Sequence, residues 1–282
     1  MLATQAGFPA GTINLITCLH TVAEVGAELC THKLVRKVSF TGSTRVGRLL
    51  MQQCSSTVKK LSLELGGNSP FLVFDDAKLD VATEACVLAK FRNSGQTCVT
   101  ANRIFVQSGI YERFAEALTE RVRGLKVGPG TEEGVFVGPL THERAVEKAM
   151  NHINGRCLLC EDGTGSGGLM GRPDAKRLGG KVILGGNPIK DLEGYFLEPT
   201  VITGTASLLP YSLRTADGNP GMTTEMITTQ EETFAPVVGL YKFETEEEAI
   251  ERANDCEVGL GSFVITSDIA RSWRVAEALE VG

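Results

Sequence analysis

The sequence predicts an α/β fold with a largely parallel sheet, and two observations carry that reading. Apolar runs with helical spacing alternate along the chain with short β-branched and aromatic runs, an order that belongs to βαβ units rather than to segregated helices and strands. One such short run passes straight into a glycine-containing turn and a helix start, Phe40-Thr41-Gly42-Ser43-Thr44-Arg45-Val46-Gly47.

Taken in order, residues 21–32 read as a helix, 35–40 as a short strand and 44–54 as a helix. Residues 71–74 form a strand. Residues 79–91 form a helix, with Val81, Ala85, Val87 and Leu88 at helical spacing, and 103–107 form a strand. Apolar stripes make 110–125 and 141–153 helices. Residues 181–184 and 196–203 are strands, 245–254 a helix and 261–265 a strand. Two stretches break the alternation: 155–180, rich in Gly and Arg, and 205–225, rich in Ser, Thr, Gly and Pro. Structureless loops of that length are uncommon in compact domains, so both are expected to be disordered insertions.

The composition, 42% apolar and 22% charged over 282 residues, is that of a globular chain of one large or two modest domains. The formal charge, 28 − 34 = −6, is spread without a like-charge block, which argues against nucleic acid and anionic membrane as partners. No apolar run reaches the roughly 20 residues needed to span a bilayer, and the first residues lack a cationic segment followed by an apolar one. Eight cysteines, scattered at 18, 30, 54, 86, 98, 157, 160 and 256, suit free thiols in a reducing compartment.

Chemistry concentrates in a few stretches. Cys98 ends Phe91-Arg92-Asn93-Ser94-Gly95-Gln96-Thr97-Cys98, between a helix and a strand, where a thiol on a turn can face a ligand. Glu64, upstream, lies between Leu63 and Leu65 and precedes Gly66-Gly67; flanking leucines are expected to desolvate the carboxylate and raise its basicity. A nucleophilic sulfur and a basic carboxylate together equip covalent catalysis. The Gly42–Gly47 turn suits phosphate at a helix N-terminus, although taken alone it reads first as a plain strand–turn–helix junction with Thr41 or Ser43 as N-cap. Arg92, six residues before the thiol, suits bidentate binding of a carboxylate. Three patterns are weighed and set aside. Gly163-Thr164-Gly165-Ser166-Gly167-Gly168 has no preceding strand. Cys157-Leu158-Leu159-Cys160 with His152 is half of a zinc spacing. The four histidines suggest no metal set.

Glu64-Leu65-Gly66-Gly67 and Gly95-Gln96-Thr97-Cys98 resemble the two active-site signatures of the aldehyde dehydrogenase superfamily. Residues 40–47 resemble its cofactor turn, Glu231-Glu232-Thr233-Phe234-Ala235-Pro236 the segment that touches the nicotinamide ribose, and residues 194–201 a further strand, all in the family's order. Lys90 to Cys98 is most similar to the succinate-semialdehyde dehydrogenase branch.

The resemblance implies a partial Rossmann-like NAD domain over residues 1–65 and an α/β catalytic domain over 66–282. It implies oxidation of succinate semialdehyde to succinate, in 4-aminobutyrate degradation, through a Cys98 thiohemiacetal and thioester, with Glu64 as general base. Arg92 would hold the substrate carboxylate. Thr41, Gly42, Ser43, Gly47, Leu65, Glu232 and Phe234 would hold NAD, with NADP as the alternative. Ala235 stands where the family usually has Gly. The family's Pro-Trp-Asn motif and its oligomerisation segment have no counterpart, so the resemblance also implies a chain shortened at both ends. Homo-oligomers are the family's habit, and mitochondrial residence follows from its animal members. Oxidation of another aldehyde, or a catalytically inactive shortened form, are the alternative readings.

Overall fold

The computed structural model describes residues 2–154, 180–204 and 231–281. The two expected insertions, except Gly180 at the end of the first, lie outside the described residues, as do Cys157, Cys160 and Gly163–Gly168. Contacts divide the chain into two compact units, Met1–Leu65 and Gly66–Gly282.

The first unit opens with a short helix, α1 (Leu2–Gln5), followed by α2 (Val22–Thr31), β1 (Lys37–Thr41), α3 (Thr44–Cys54) and β2 (Lys60–Glu64). β1 and β2 pair in parallel with Phe40 opposite Leu63 and Thr41 opposite Glu64. Ser43 caps α3 by accepting a hydrogen bond from the Val46 N–H at 3.4 Å.

The second unit is a sheet covered on both faces. Its strands are β3 (Pro70–Val73), β4 (Arg103–Gln107), β7 (Lys181–Leu184), β10 (Thr200–Thr203), β11 (Val237–Phe243) and β12 (Phe263–Ile265), in the order β12-β3-β4-β11-β10-β7. All neighbours are parallel except β7, which runs against β10. Side chains alternate across a strand, so β3 sends Phe71 and Val73 into one apolar layer and Leu72 into the other, where Phe74 just beyond it joins. The first layer packs on α4 (Leu79–Phe91) and α5 (Tyr111–Arg123). The second packs on α6 (Glu143–Asn154), α7 (Glu246–Asn254) and α8 (Ile269–Ala278). Two short pairs, β5 (Lys126–Val127) with β6 (Val135–Val137) and β8 (Pro188–Ile189) with β9 (Phe196–Leu197), lie outside the main sheet.

The single strand expected over residues 196–203 is two. β9 ends at Leu197, and β10 starts at Thr200 in a different sheet. Pro199, which has no N–H to give a ladder, stands between them.

Candidate active site

The turn that carries Cys98 is built against the ordinary preferences of its backbone. After α4 ends, Asn93, Ser94 and Gly95 take successive left-handed conformations, with φ of 52°, 57° and 72°. For the two residues with a Cβ this costs about 1 kcal/mol or more each, so the surroundings must hold them there. The Ser94 hydroxyl donates to the Gly138 carbonyl and accepts from the Gly138 N–H, each at 2.9 Å. The Gln96 amide donates to the Pro139 carbonyl at 3.2 Å and accepts from the Thr141 N–H at 3.0 Å. The Asn93 side chain donates to the Gln96 carbonyl at 2.9 Å. Beyond the turn, the Ala101 N–H donates to the Ala89 carbonyl and the Asn102 N–H to the Ser69 carbonyl, pinning the approach to β4. Cys98 therefore sits half-buried on a rigid loop, while Cys86 on α4 is wholly buried and its thiol is pushed up to about 12 by burial. Arg92 is exposed at the C-terminus of α4 and has no ion-pair partner among the described residues.

Arg103 follows Asn102 but is structural. It is buried, and its guanidinium donates to the carbonyls of Asn68, Arg252 and Ala253 at 2.9, 2.9 and 2.7 Å, which fastens β4 to the end of α7.

The Glu232 segment meets the thiol turn from another side of the second unit. A Cβ built on Gly95 would strike the Ala235 carbonyl, with 2.7 Å to its carbon, and stand 3.1 Å from the Lys90 carbonyl oxygen, so the three backbones are stacked. Phe234 is left-handed, with φ of 53°, and 37% exposed. Burial pushes the Glu232 carboxyl up to about 7, against the opposing pull of Lys148, Lys90 and the Gly67 N–H. Lys148 Nζ donates to the Glu232 carbonyl at 2.5 Å.

Lys90 is fully buried, and its Nζ donates to Asn102 Oδ1 at 3.0 Å. Burial pulls its ammonium down to about 7, while Cys86 and Glu232 pull it up. Next to them His152 is buried with Nδ1 3.1 Å from Thr233 Oγ1. Among the described residues Glu232 Oε1, Asn102 Nδ2 and His152 Nε2 are buried without a hydrogen-bond partner.

His152 gives a testable acid limb. Burial, with Lys148 and Lys90 adding to it, holds its imidazole down to about 3. The unfolded chain takes up a proton near pH 6.5 that the folded chain refuses, so this contribution to stability is complete above 6.5 and is lost as pH falls toward 3. We expect urea unfolding of His152→Asn to depend less on pH between 6.5 and 4 than that of the parent chain; parallel pH dependences would count against the buried neutral imidazole.

In the first unit, the register places Thr41 and Glu64 side by side at the carboxyl ends of the paired strands, and the Gly42 N–H donates to the Glu64 carbonyl at 3.0 Å. Thr41, Gly42, Ser43 and Glu64 thus share one edge with the start of α3, the end of a parallel sheet at which ligands bind. Gly47 serves packing: a Cβ there would stand 2.5 Å from a Leu65 methyl.

The expected desolvation of Glu64 by its leucines is not found, because Glu64 is exposed. Neighbours in a strand point to opposite faces, so Leu63 covers the other side of β2 and shields nothing on the Glu64 side.

The Glu232 oxygen left without a partner is an acceptor that a hydroxyl donor would satisfy, and Phe234, two residues on, is partly exposed. Two open grooves of the second unit, of about 520 and 550 Å³, are lined by neither Cys98 nor Glu232 and hold no nucleophilic thiol. Among the described residues no three His, Cys, Asp or Glu side chains cluster as a metal site, and no helix is long and apolar enough to cross a membrane.

The sequence profile of the Aldehyde dehydrogenase family matches residues 1–157 and 220–282. The chain belongs to the aldehyde dehydrogenase family. It is 45% identical over its whole length to "Succinate-semialdehyde dehydrogenase [NADP(+)] 1" of Schizosaccharomyces pombe, covering 49% of that protein. It is 46% identical to "3-sulfolactaldehyde dehydrogenase" of Pseudomonas putida, covering 50% of it. Among solved structures, the succinate-semialdehyde dehydrogenase of Burkholderia pseudomallei matches all of this chain with 50% of its own, at 43% identity and a TM-score of 0.82. The chain thus spans about half the length of the curated relatives it matches, and it has the α/β aldehyde-dehydrogenase fold over that half.

Sequence reasoning passed over Ser94 and Gln96 as latches and Lys90 as a buried group. The triplet Asn93-Ser94-Gly95 was a legible signal for left-handed backbone. The i, i+4, i+8 series Ala82, Cys86, Lys90 was a legible signal that Lys90 lies on the buried stripe of α4.

Proposed function

We propose that this chain oxidises a carboxylated aldehyde, succinate semialdehyde first among candidates, to the corresponding acid, using a nicotinamide dinucleotide. The observation that supports this most directly is the latched left-handed turn that holds Cys98 half-exposed and backs onto the segment of Glu232 and Phe234. Cys98 adds through its thiolate to the aldehyde carbon and afterwards carries the acyl group as a thioester. The chemistry a bound nicotinamide supplies is acceptance of the hydride from that carbon. Glu64, exposed to water at the end of β2, takes a proton from the water that cleaves the thioester, which returns Cys98 to its starting state. Residues 1–65 take the role of a partial dinucleotide-binding domain, with Thr41, Gly42 and Ser43 assigned to the cofactor, and residues 66–282 that of the catalytic domain, with Glu232 assigned to the cofactor ribose.

Arg92 is assigned to the substrate carboxylate because it is exposed at the end of α4, six residues before the thiol. The relatives favour this substrate class: the names of the two proteins above specify succinate semialdehyde and the anionic 3-sulfolactaldehyde. The test is reduced-nicotinamide formation by the purified chain with succinate semialdehyde and with an uncharged aldehyde, each with NAD and with NADP. We expect Arg92→Ala to raise KM for the carboxylated substrate about 10- to 100-fold, the loss of one charge-assisted pair, and to leave the uncharged aldehyde unaffected. Equal effects on both would remove Arg92 from substrate selection, and a folded chain without turnover would remove the proposal.

A further inference from the structure

Glu232, Thr233 and Phe234 lead into β11 without being part of it. From Pro236 onward the sheet fixes the chain: the Pro236 carbonyl accepts from the Thr200 N–H at 2.8 Å, and β11 begins at Val237. The three residues before it lie outside any strand. Phe234 has a left-handed backbone, with φ of 53°, which a bulky side chain keeps only where its surroundings impose it. Two side chains of α6 supply that hold. Lys148 Nζ donates to the Glu232 carbonyl at 2.5 Å, and His152 Nδ1 lies 3.1 Å from Thr233 Oγ1. Residues four apart stand one above the other on a helix, so one face of α6 catches two consecutive residues of the segment. That face is itself anchored, because Ala149 and Ile153, the next residue after each, are wholly buried in the second apolar layer. Aliphatic residues at 148 and 152 would cover the same layer without desolvating a buried imidazole. Neither contact uses the Glu232 carboxylate, one oxygen of which is buried without a hydrogen-bond partner among the described residues. The clamp fixes the segment and leaves that oxygen for another donor.

We infer that Lys148 and His152 are positioning residues for the proposed reaction: as a two-point clamp on Glu232 and Thr233, they set the Glu232 carboxylate where it receives the cofactor. The inference rests on the dehydrogenase reading, which assigns Glu232 to the cofactor. It gives neither clamp residue a contact with substrate or cofactor.

The experiment is a calorimetric titration of the full chain with NAD and with NADP. It is paired with the rate at which iodoacetamide alkylates Cys98, followed at that residue by peptide mass spectrometry. The chains compared are the parent, Lys148→Met, Lys148→Arg, Thr233→Val, Glu232→Gln and the Lys148→Met/Glu232→Gln double variant, each checked for folding by circular dichroism. We expect Lys148→Met to weaken dinucleotide binding about tenfold, the loss of one charge-assisted hydrogen bond, and Lys148→Arg, which keeps a charged donor, to recover most of it. Thr233→Val, close in shape but without the hydroxyl that faces His152, should weaken binding about threefold, and it carries the test should Lys148→Met fail to fold. Cys98 alkylation should stay within about twofold of the parent throughout, because the thiol turn is latched to residues 138–141 and not to α6. On the Glu232→Gln background, Lys148→Met should cost less than about twofold more, since placing a carboxylate that is absent has no effect. Parental affinity in a folded Lys148→Met or Thr233→Val chain, losses that multiply in the double variant, or alkylation that falls in step with affinity would overturn the inference and leave the dehydrogenase reading standing. A parent chain that binds neither dinucleotide overturns both.

Discussion

Cys98→Ser should leave the chain folded, able to bind a nicotinamide dinucleotide, and about 10⁴-fold or more slower in aldehyde oxidation. The prediction separates scaffold from nucleophile. What holds the turn is Ser94 on Gly138, Gln96 on Pro139 and Thr141, and the Ala101 and Asn102 N–H groups on Ala89 and Ser69, and none of these bonds uses the sulfur. Replacing sulfur by oxygen at a half-exposed site disturbs little packing, so thermal stability should stay near that of the parent. A serine hydroxyl ionises far less readily than a thiol at neutral pH and is the weaker nucleophile, so the covalent step fails while binding survives. Cys86→Ala should do the reverse, costing stability through a cavity under α4 while preserving turnover, because its thiol is buried and pushed up to about 12. Turnover retained in Cys98→Ser would sink the assignment outright, and stopped-flow detection of an acyl-enzyme burst in the parent but not the variant would support it.

How much of this was legible before any coordinates depends on whether a feature is local. The spans 79–91, 103–107 and 181–184 have the expected limits because periodicity and β-branched content act over neighbouring residues. β11, the longest strand of the central sheet, escaped notice. Pro236 directly precedes it and Gly239 lies within it, and both read as punctuation when taken singly. The exposure of Glu64 depends on faces and not on sequence neighbours: strand alternation turns Leu63 to the opposite side of β2. At the candidate site, Cys98 and Glu232 were legible as motifs. Their mutual support was not, since the Gly138 latch is 44 residues from Ser94 and the Ala235 contact farther still from Gly95. Lys90 shows the intermediate case: its place on the stripe of α4 could be counted from the sequence, but its partner Asn102 could be found only from the fold.

Gly95→Ala should destabilise the chain by about 2–5 kcal/mol and weaken dinucleotide binding more than it changes the KM for aldehyde. Two costs combine. Gly95 has φ of 72°, a conformation that alanine adopts at a penalty of about 1–2 kcal/mol. The added methyl would also run into the Ala235 carbonyl and stand 3.1 Å from the Lys90 carbonyl oxygen. Both obstacles are backbone, so no side chain can rotate aside, and overpacking of this kind costs about 1–3 kcal/mol. The strain can be relieved only by parting the end of α4 from residues 232–235. That movement shifts Glu232 and Phe234, while Cys98 stays tied to the 138–141 segment through Ser94 and Gln96. Ser94→Ala is the complementary variant. It removes both bonds to Gly138 without touching Ala235, so it should loosen the thiol turn, lowering kcat more than dinucleotide affinity. Thermal melts together with dinucleotide titrations of the two variants would distinguish these effects. A Gly95→Ala chain with parental stability and parental affinity would mean that the thiol turn and the Glu232 segment are not packed together in solution, and the coupling argued for the second unit would fall with that result.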